Sequence, residues 1–137
     1  QKLNAHSNNL TDSSASLIAV SLDGNVALKE LILWNNNAIT WEGATEIFEV
    51  LRDAMQLNVE VVRLNYWPLP VQLFAGTPAV ANKLISKSID VSNGQLCLRD
   101  AIGVGLLLQR NTICNVLNLQ NTDLTKGGEN QVIIRMV

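Results

Sequence analysis

Apolar and polar side chains alternate with a period of two in a stretch near the C-terminal end of the sequence. Cys114, Leu117, Leu119 and Leu124 are apolar and Thr122 is small and polar, which gives the pattern LxxLxLxxTxL. Such alternation is typical of a strand that buries one face. The short side chain of Thr122 is suited to hydrogen-bond the backbone where the chain leaves the strand. The stretch therefore predicts a short strand followed by a turn.

The same pattern recurs along the chain, and an internal repeat determines the fold class. The first apolar residue of each strand core is taken as a marker; the markers lie 28, 31, 27 and 28 residues apart, at Leu3, Leu31, Val62, Ile89 and Leu117. A second apolar position follows each marker, at Ala5, Leu33, Leu64, Val91 and Leu119. The turn positions are Asn8, Asn36, Trp67, Gly94 and Thr122. The pattern predicts five units, at 1–27, 28–56, 57–83, 84–112 and 113–137.

Most units continue into a segment with helical periodicity. Small residues begin these segments, where close packing is expected, at Ala15, Gly43, Ala101 and Gly127–Gly128. The spacing predicts helices in the first two units and a helix over 98–109 in the fourth. Asn25 and Asn111 each lie six residues before a marker, where the chain must turn back into a strand.

The third unit departs from this pattern. Pro68, Pro70 and Pro78 lie where the other units have a helix or its approach. Proline lacks a backbone N–H and clashes with the preceding helical turn, so a long regular helix is excluded. We expect a short or irregular connection in a degenerate unit.

With these residues in phase, the chain resembles the leucine-rich repeat proteins. The period near 28 residues, together with Gly43-Ala44 and Ile47, is similar to the ribonuclease-inhibitor-like subclass. The resemblance implies one domain over 1–137, an α/β solenoid shaped as a curved right-handed horseshoe. Parallel strands would form one sheet on the concave face, with helices on the convex face. Because no capping unit with a polar outer face is visible at either end, we expect a fragment of a longer chain.

Composition and charge narrow the possible functions. Charged residues make up 16% of the chain, against about 25% in average domains, and hydrophobic residues 47%. A net charge of −2 supplies no electrostatic footprint for nucleic acid. No apolar run approaches the roughly 20 residues that span a bilayer, so no membrane contact is expected. Cys97 and Cys114 match neither a disulfide framework nor a metal site, which predicts free thiols and an intracellular, cytoplasmic location.

Known catalytic constellations do not occur in the sequence. His6 is the single histidine, and it has no acidic neighbour in sequence. Gly103-Val104-Gly105 lacks the third glycine of a dinucleotide fingerprint and is interpreted as helix packing. Gly127–Gly128 is not followed by the Lys-Ser or Lys-Thr pair of a phosphate loop. We therefore expect no enzyme activity, no catalytic residue, no cofactor and no metal.

The resemblance places outward strand side chains in two rows on the concave face. The rows are Asn4, Ile32, Arg63, Asp90 and Asn118, and then His6, Trp34, Asn65, Ser92 and Gln120. The predicted protein-binding residues are Ile32, Trp34, Arg63, Asn65, Asp90, Ser92, Asn118 and Gln120. Trp34 is the predicted anchor, because exposed Trp and Arg residues dominate the energy of protein interfaces. Tyr66 is expected to extend this patch, and Trp67 to be buried in the turn of the third unit.

The sequence thus favours a non-catalytic scaffold that binds a protein partner of open identity, within a larger assembly. One alternative is a regulator of an enzyme, either like a nuclease inhibitor or as an activator of small GTPases, in which Arg63, Asn65 and Asp90 would matter. A second is a structural subunit of a cytoskeletal or organellar complex. A third is an innate sensing receptor, whose nucleotide-binding module would lie outside this sequence. The architecture hosts many functions and does not choose between them.

Overall fold

A computed structural model describes residues 1–56, 58–78, 88–94 and 96–122. The strands are β1 (Lys2–Asn4), β2 (Glu30–Ile32), β3 (Val61–Arg63), β4 (Leu69–Pro70), β5 (Ser88–Asp90) and β6 (Val116–Asn118). The helices are α1 (Asp12–Leu22), α2 (Trp41–Asp53), α3 (Val71–Ala75) and α4 (Leu98–Leu108). The fold is mixed α/β. The predicted features at Leu124 and Gly127–Gly128 lie outside the described residues.

The strand register follows the marker positions of the repeat. In the first sheet β1 pairs with β2 and β2 with β3, all parallel, so that Leu3 lies opposite Leu31 and Leu31 opposite Val62. In a second sheet β5 and β6 pair in parallel with Ile89 opposite Leu117. Residues separated by one period therefore stack on one another, and the alternation sends the same face of each strand into the core.

The sheet is interrupted between the third and fourth units, which differs from the single sheet that the resemblance predicts. Leu69 and Pro70 fold back and pair antiparallel with Val62 and Val61, so that β4 occupies the outer edge of β3. Pro70 has a fixed φ and no N–H to donate, and such residues suit a short edge strand. The described strands consequently form a four-stranded sheet and a two-stranded sheet.

The helices begin and end close to the predicted positions. The prediction of a helix over 98–109 is confirmed to within one residue by α4. The expected short connection in the third unit is also confirmed, because α3 has only five residues and ends at Gly76 in the left-handed conformation. Against the inner faces of the strands, α2 buries Ala44, Ile47, Phe48 and Leu51.

Since the third unit supplies only a short helix, α4 packs directly on α2. A Cβ on Gly103 would lie 2.5 Å from Cζ of the Phe48 ring, so the two helices approach as closely as glycine allows. Arg99 donates to the carbonyls of Asn36 and Ile39, at 3.3 and 3.1 Å. Arg110 donates to backbone carbonyls at the C-terminal end of α2, at Arg52 and Ala54. The contact between α2 and α4 therefore joins the two sheets through the helical layer.

Asparagine side chains shape the loops between strands and helices. Asn36 is fully buried; its Oδ1 accepts from the amides of Asn8 and Leu10, and its Nδ2 donates to the carbonyls of Ala5 and Leu33. One side chain thereby satisfies four backbone groups in two consecutive units, as buried polar groups require. The equivalent Thr122 donates to the Leu119 carbonyl at 2.7 Å, which confirms its predicted turn role.

The turns back into the strands are also built by asparagine. Asn25 Oδ1 accepts from the amides of Ala27 and Leu28, both at 2.9 Å. Asn111 Oδ1 accepts in the same way from Ile113 and Cys114, at 2.8 and 2.7 Å. The predicted equivalence of these two asparagines is confirmed.

Asp12 joins the first helix to the second. Its carboxylate accepts from the amides of Thr40 and Gly43, at 2.7 and 3.0 Å, and from the Thr40 hydroxyl at 2.8 Å. An acidic group at this place satisfies free amides at the start of α2 and favours the helix dipole. Gly43 has no Cβ to collide with Asp12 or Ala15, so the two helices can lie this close.

Candidate functional site

The outward positions of β1, β2 and β3 lie side by side on the face away from the helices. Asn4, Ile32 and Arg63 are Cα partners across these strands. Two positions further along the chain from Asn4 and Ile32, His6 and Trp34 follow the same alternation and carry aromatic side chains. We call this side of the strands the outward strand face.

Three rings stack across the outward strand face. The ring of His6 lies 4.6 Å from that of Trp34, centroid to centroid, with only 6° between their planes. On the other side of Trp34, the ring of Tyr66 lies at 5.0 Å with a tilt of 36°. Contacts of this length and geometry are favourable between aromatic rings. Arg63 lies on the same face, opposite Ile32 in the strand register, and His6, Trp34, Tyr66 and Arg63 together are what we call the aromatic patch.

Tyr66 takes the third place in the stack, where the repeat phase predicts Asn65. In the first two units the next residue, Ser7 or Asn35, adopts a left-handed backbone with φ near 58° and 59°, whereas Tyr66 has no positive φ. The Asn65 side chain instead lies near enough to the buried carboxyl of Asp100, at the start of α4, to contribute to its pKa. Tyr66 therefore takes the place in the ring stack, and the prediction that Asn65 belongs to the binding row stays a prediction.

Exposure differs strongly within the predicted site. Tyr66 is 73% exposed and Trp34 is half-buried, so both present surface to a partner. Ile32 is only 6% exposed, and the expectation that it offers contact surface is wrong. Trp67, by contrast, is partly buried and meets Phe74 edge-on at 6.3 Å, which confirms its predicted place inside the third turn.

A hydrogen bond orients the ring of His6, whereas the hydrogen-bond donors of the other residues in the aromatic patch have no partner among the described residues. Nδ1 of His6 lies 3.0 Å from Oγ of Ser7, which also accepts from Nδ2 of Asn35 at 3.0 Å. Among the described residues, the Arg63 guanidinium, the Trp34 indole N–H and the Tyr66 hydroxyl have no hydrogen-bond or ion-pair partner. The patch therefore offers donors to whatever covers it.

The other charges on these strands are neutralised in pairs. Nζ of Lys2 lies 3.2 Å from Glu30, and Nζ of Lys29 lies 3.2 Å from Glu60. Both pairs are exposed and contribute little stability. Their effect on the face is electrostatic, because they leave Arg63 as its uncompensated charge among the described residues of β1 to β3.

On β5 and β6 the outward positions carry a row of hydrogen-bonded polar residues, the polar ladder, which consists of Asp90, Ser92, Asn118 and Gln120. Oδ1 of Asp90 accepts from the Ser92 amide at 2.8 Å, and Oδ2 accepts from Nδ2 of Asn118 at 3.2 Å. Oδ1 of Asn118 accepts in turn from the Gln120 amide at 3.0 Å. The bonds from Ser92, followed by that from Asn118, hold the pKa of Asp90 below its usual value. These four predicted site residues lie together; the side chains of Asp90 and Asn118 bond one another, whereas Gln120 contributes its backbone amide.

One buried acid was not identified from the sequence. Asp100 is 1% exposed and accepts from the Cys97 amide at 3.0 Å, in the reciprocal bond of a capping box. Burial raises the pKa of the Asp100 carboxyl and, with the nearby carboxylate, that of the Cys97 thiol. The spacing Cys97-x-x-Asp100 is the signal that could have revealed this cap. A raised thiol pKa disfavours the thiolate, which is the nucleophilic form of cysteine.

The described residues hold no group of three or more His, Cys, Asp or Glu side chains placed to bind a metal ion. Within the same residues, no helix is both long enough and apolar enough to cross a bilayer. Cys97 and Cys114 are free thiols, the former buried and the latter partly buried.

No family model, curated protein or solved structure matches the chain.

Proposed function

We propose that this protein is a non-catalytic interaction scaffold of the leucine-rich repeat type, and that it binds a protein partner through the outward strand face. The observation that carries the proposal is the stack of His6, Trp34 and Tyr66 beside Arg63. Aromatic and Arg side chains are the residues that most often dominate binding energy when an interface covers them. No cofactor takes part in this function.

The stack is suited to binding because it is already ordered. Trp34 has a ring on each side, and His6 is tied to Ser7, so little side-chain freedom remains to be lost on association. Ordering an interface side chain costs about 0.5–1.5 kcal/mol, and preorganisation removes part of that cost. Large rigid side chains with polar tips are efficient contact residues for the same reason.

Three features support the solenoid part of the proposal. Strands one period apart pair in parallel, with the markers opposite one another. Asn36 and Asp12 each bond the neighbouring unit. These contacts between successive units are what a stack of repeats needs, since each unit buries its apolar face against the next.

We further propose that the scaffold works within a larger assembly in a reducing, intracellular compartment. The two free cysteines support the proposal of a reducing compartment, where thiols stay reduced.

The test compares two tryptophans. Trp34→Ala removes the centre of the stack, and Trp41→Ala removes a tryptophan of α2 that is 47% exposed outside the patch. Crosslinking with mass spectrometry in extract of the native cells should give a protein partner that Trp34→Ala loses by at least about tenfold and Trp41→Ala retains. Equal capture by both variants would refute binding through this face.

A further inference from the structure

The stacked geometry determines which parts of the rings a partner can reach. Both faces of the Trp34 ring are covered, by His6 on one side and Tyr66 on the other. A partner therefore meets the ring edges, where hydrogens carry partial positive charge and where the indole N–H lies. Ring edges attract electron-rich groups, namely carboxylate oxygens and the faces of other aromatic rings.

The hydrogen-bonding groups of the patch point to the same chemistry. Arg63, the Trp34 N–H and the Tyr66 hydroxyl are donors without partners among the described residues. The nearby acceptors are already used: Ser7 Oγ bonds His6 and Asn35, while Glu30 and Glu60 pair with lysines. A partner that buries this surface has to supply acceptors, because a buried donor without one costs about 1–3 kcal/mol.

Arg63 sets the charge that the partner should carry. Its guanidinium is a planar fork that matches a carboxylate with two parallel bonds. No acid among the described residues pairs with it, whereas both lysines at β1 and β2 are paired. Burying it under a neutral or basic segment would leave a charge uncompensated, which is strongly unfavourable.

Taking these points together, and resting on the proposed function, we infer that the aromatic patch recognises an acidic peptide segment of its protein partner. Carboxylates of that segment bond Arg63 and the donors at the ring edges. An aromatic or aliphatic side chain beside them packs on Tyr66, which is 73% exposed. The polar ladder at Asp90 and Asn118 is not part of this site, since the Asp90 carboxylate is already bonded by the Ser92 amide and by Asn118.

Single-stranded nucleic acid is disfavoured by the same geometry. Bases bind to proteins by stacking on open aromatic faces along a positively charged groove. Here the central ring has no open face, and the chain carries a net charge of −2. Nucleic acid is therefore an outcome of the test and not the proposed partner.

The first experiment selects binding peptides from random sequences, so that the partner need not be identified beforehand. A phage-displayed library of random linear peptides is selected on the 137-residue chain and counter-selected on Trp34→Ala. Circular dichroism checks that the variant is folded. Enrichment of peptides that combine Asp or Glu with an aromatic or aliphatic residue is the expected result. Enrichment of neutral or basic peptides whose binding is lost in Trp34→Ala would refute recognition of an acidic segment, while the proposed binding through this face would remain supported. No enrichment that depends on Trp34 would overturn both.

The second experiment measures the charge preference directly. Fluorescence anisotropy compares a selected, fluorescein-labelled peptide with its counterpart in which Asn and Gln replace Asp and Glu. Arg63→Gln should weaken binding of the acidic peptide about tenfold and leave the neutral counterpart unchanged. Arg52→Gln makes the same change of charge on the helical layer and should have no effect. Equal loss for both peptides, or tighter binding of labelled oligo-uridine than of the acidic peptide, would refute the inference.

Discussion

The outward positions of the first sheet and those of the second occupy the same places in the repeat but differ in what their side chains contact. On β1 to β3 they form a ring stack and an unpaired arginine, with donors free among the described residues. On β5 and β6 they form a ladder in which the side chains of Asp90 and Asn118 bond one another and accept from the backbone amides of Ser92 and Gln120. Position in a repeat therefore decides which face a side chain lies on, and local bonding decides whether it is available to a partner.

The two regions also differ in how they are held together. The first sheet has Asn36 bonded to four backbone groups, whereas the equivalent place in the second has the single Thr122 hydroxyl bond. The regions are joined mainly by the contact of α2 with α4, because β4 separates their sheets. Substitutions can therefore perturb each region separately, and others can perturb the junction, which is the contact between α2 and α4.

The largest effect is expected for Asn36→Ala. The substitution leaves up to four backbone groups without partners, and each costs about 1–3 kcal/mol when buried, so we expect the free energy of unfolding to fall by roughly 3–5 kcal/mol. The matched variant in the second region, Thr122→Ala, removes one bond and should cost about 1 kcal/mol. Urea denaturation followed by circular dichroism measures both. If both substitutions lowered the free energy of unfolding by similar amounts, the two turns would contribute equally to stability, and the difference in their hydrogen bonds would not explain it.

The junction is tested by two glycines of the same helix. Gly103→Ala places a Cβ against the Phe48 ring and should destabilise the protein by about 1–3 kcal/mol, as overpacking does. Gly105→Ala meets no atom within 4 Å and should stabilise α4 by up to about 1 kcal/mol, because alanine is the better helix former. Chemical denaturation measures whether each substitution lowers or raises the free energy of unfolding.

Hydrogen exchange then shows whether this contact couples the regions. In Gly103→Ala, the amides of Val91 and Asn93, which bond β6 and the turn after it, should exchange faster. Unchanged exchange at these amides, with a loss of stability confined to α2, would mean that the second sheet is independent of the helical contact.

A smaller, pH-dependent effect is expected at Asp100, which is buried at the start of α4. Burial raises its pKa above the ordinary 3.8, so the unfolded chain releases this proton at lower pH than the folded one. The wild type therefore loses stability as pH rises from about 4 through the raised pKa. Asp100→Asn keeps an acceptor for the Cys97 amide and has no such proton. Its stability relative to wild type should grow over that interval and then level off, as measured by urea midpoints; a difference independent of pH would contradict the raised pKa.

Much of the fold was accessible from the sequence because alternation and period are local signals. The register of Leu3, Leu31 and Val62 follows from the spacing of apolar residues, and the phase of Trp34 alone places it on the outward face. The prolines likewise indicate a short third helix. They do not indicate that Leu69–Pro70 pairs back onto β3, since that pairing depends on the free edge of a strand formed elsewhere.

The site was less accessible, because its details depend on contacts between units. Asn65 and Tyr66 are neighbours, and only the backbone of the turn decides which enters the stack and which reaches Asp100. Asp12 has the sequence signature of a cap for its own helix, yet its carboxylate bonds the start of the next one. Ile32 has the right phase for the outward face, and its burial by neighbouring side chains has no signature in the sequence.

The smallest effect is expected for the bond between Asn118 and Asp90, which links β6 to β5 on the second sheet. Asn118→Ala removes one donor to Asp90 and should change the free energy of unfolding by roughly 0.5 kcal/mol or less, as surface substitutions do. Because this bond is one of those that lower the pKa of Asp90, that pKa should rise toward its ordinary value in the variant. A carboxyl whose pKa is lowered by folding stabilises the protein above its ordinary pKa, and this stabilisation is lost as pH falls, so the variant should be slightly less sensitive to acid. Titration of the Asp90 carboxyl carbon by NMR measures the shift, and anisotropy with the selected peptide should show unchanged binding. An unshifted pKa would mean that the ladder does not form in solution, and weaker binding would place β6 within the binding surface after all.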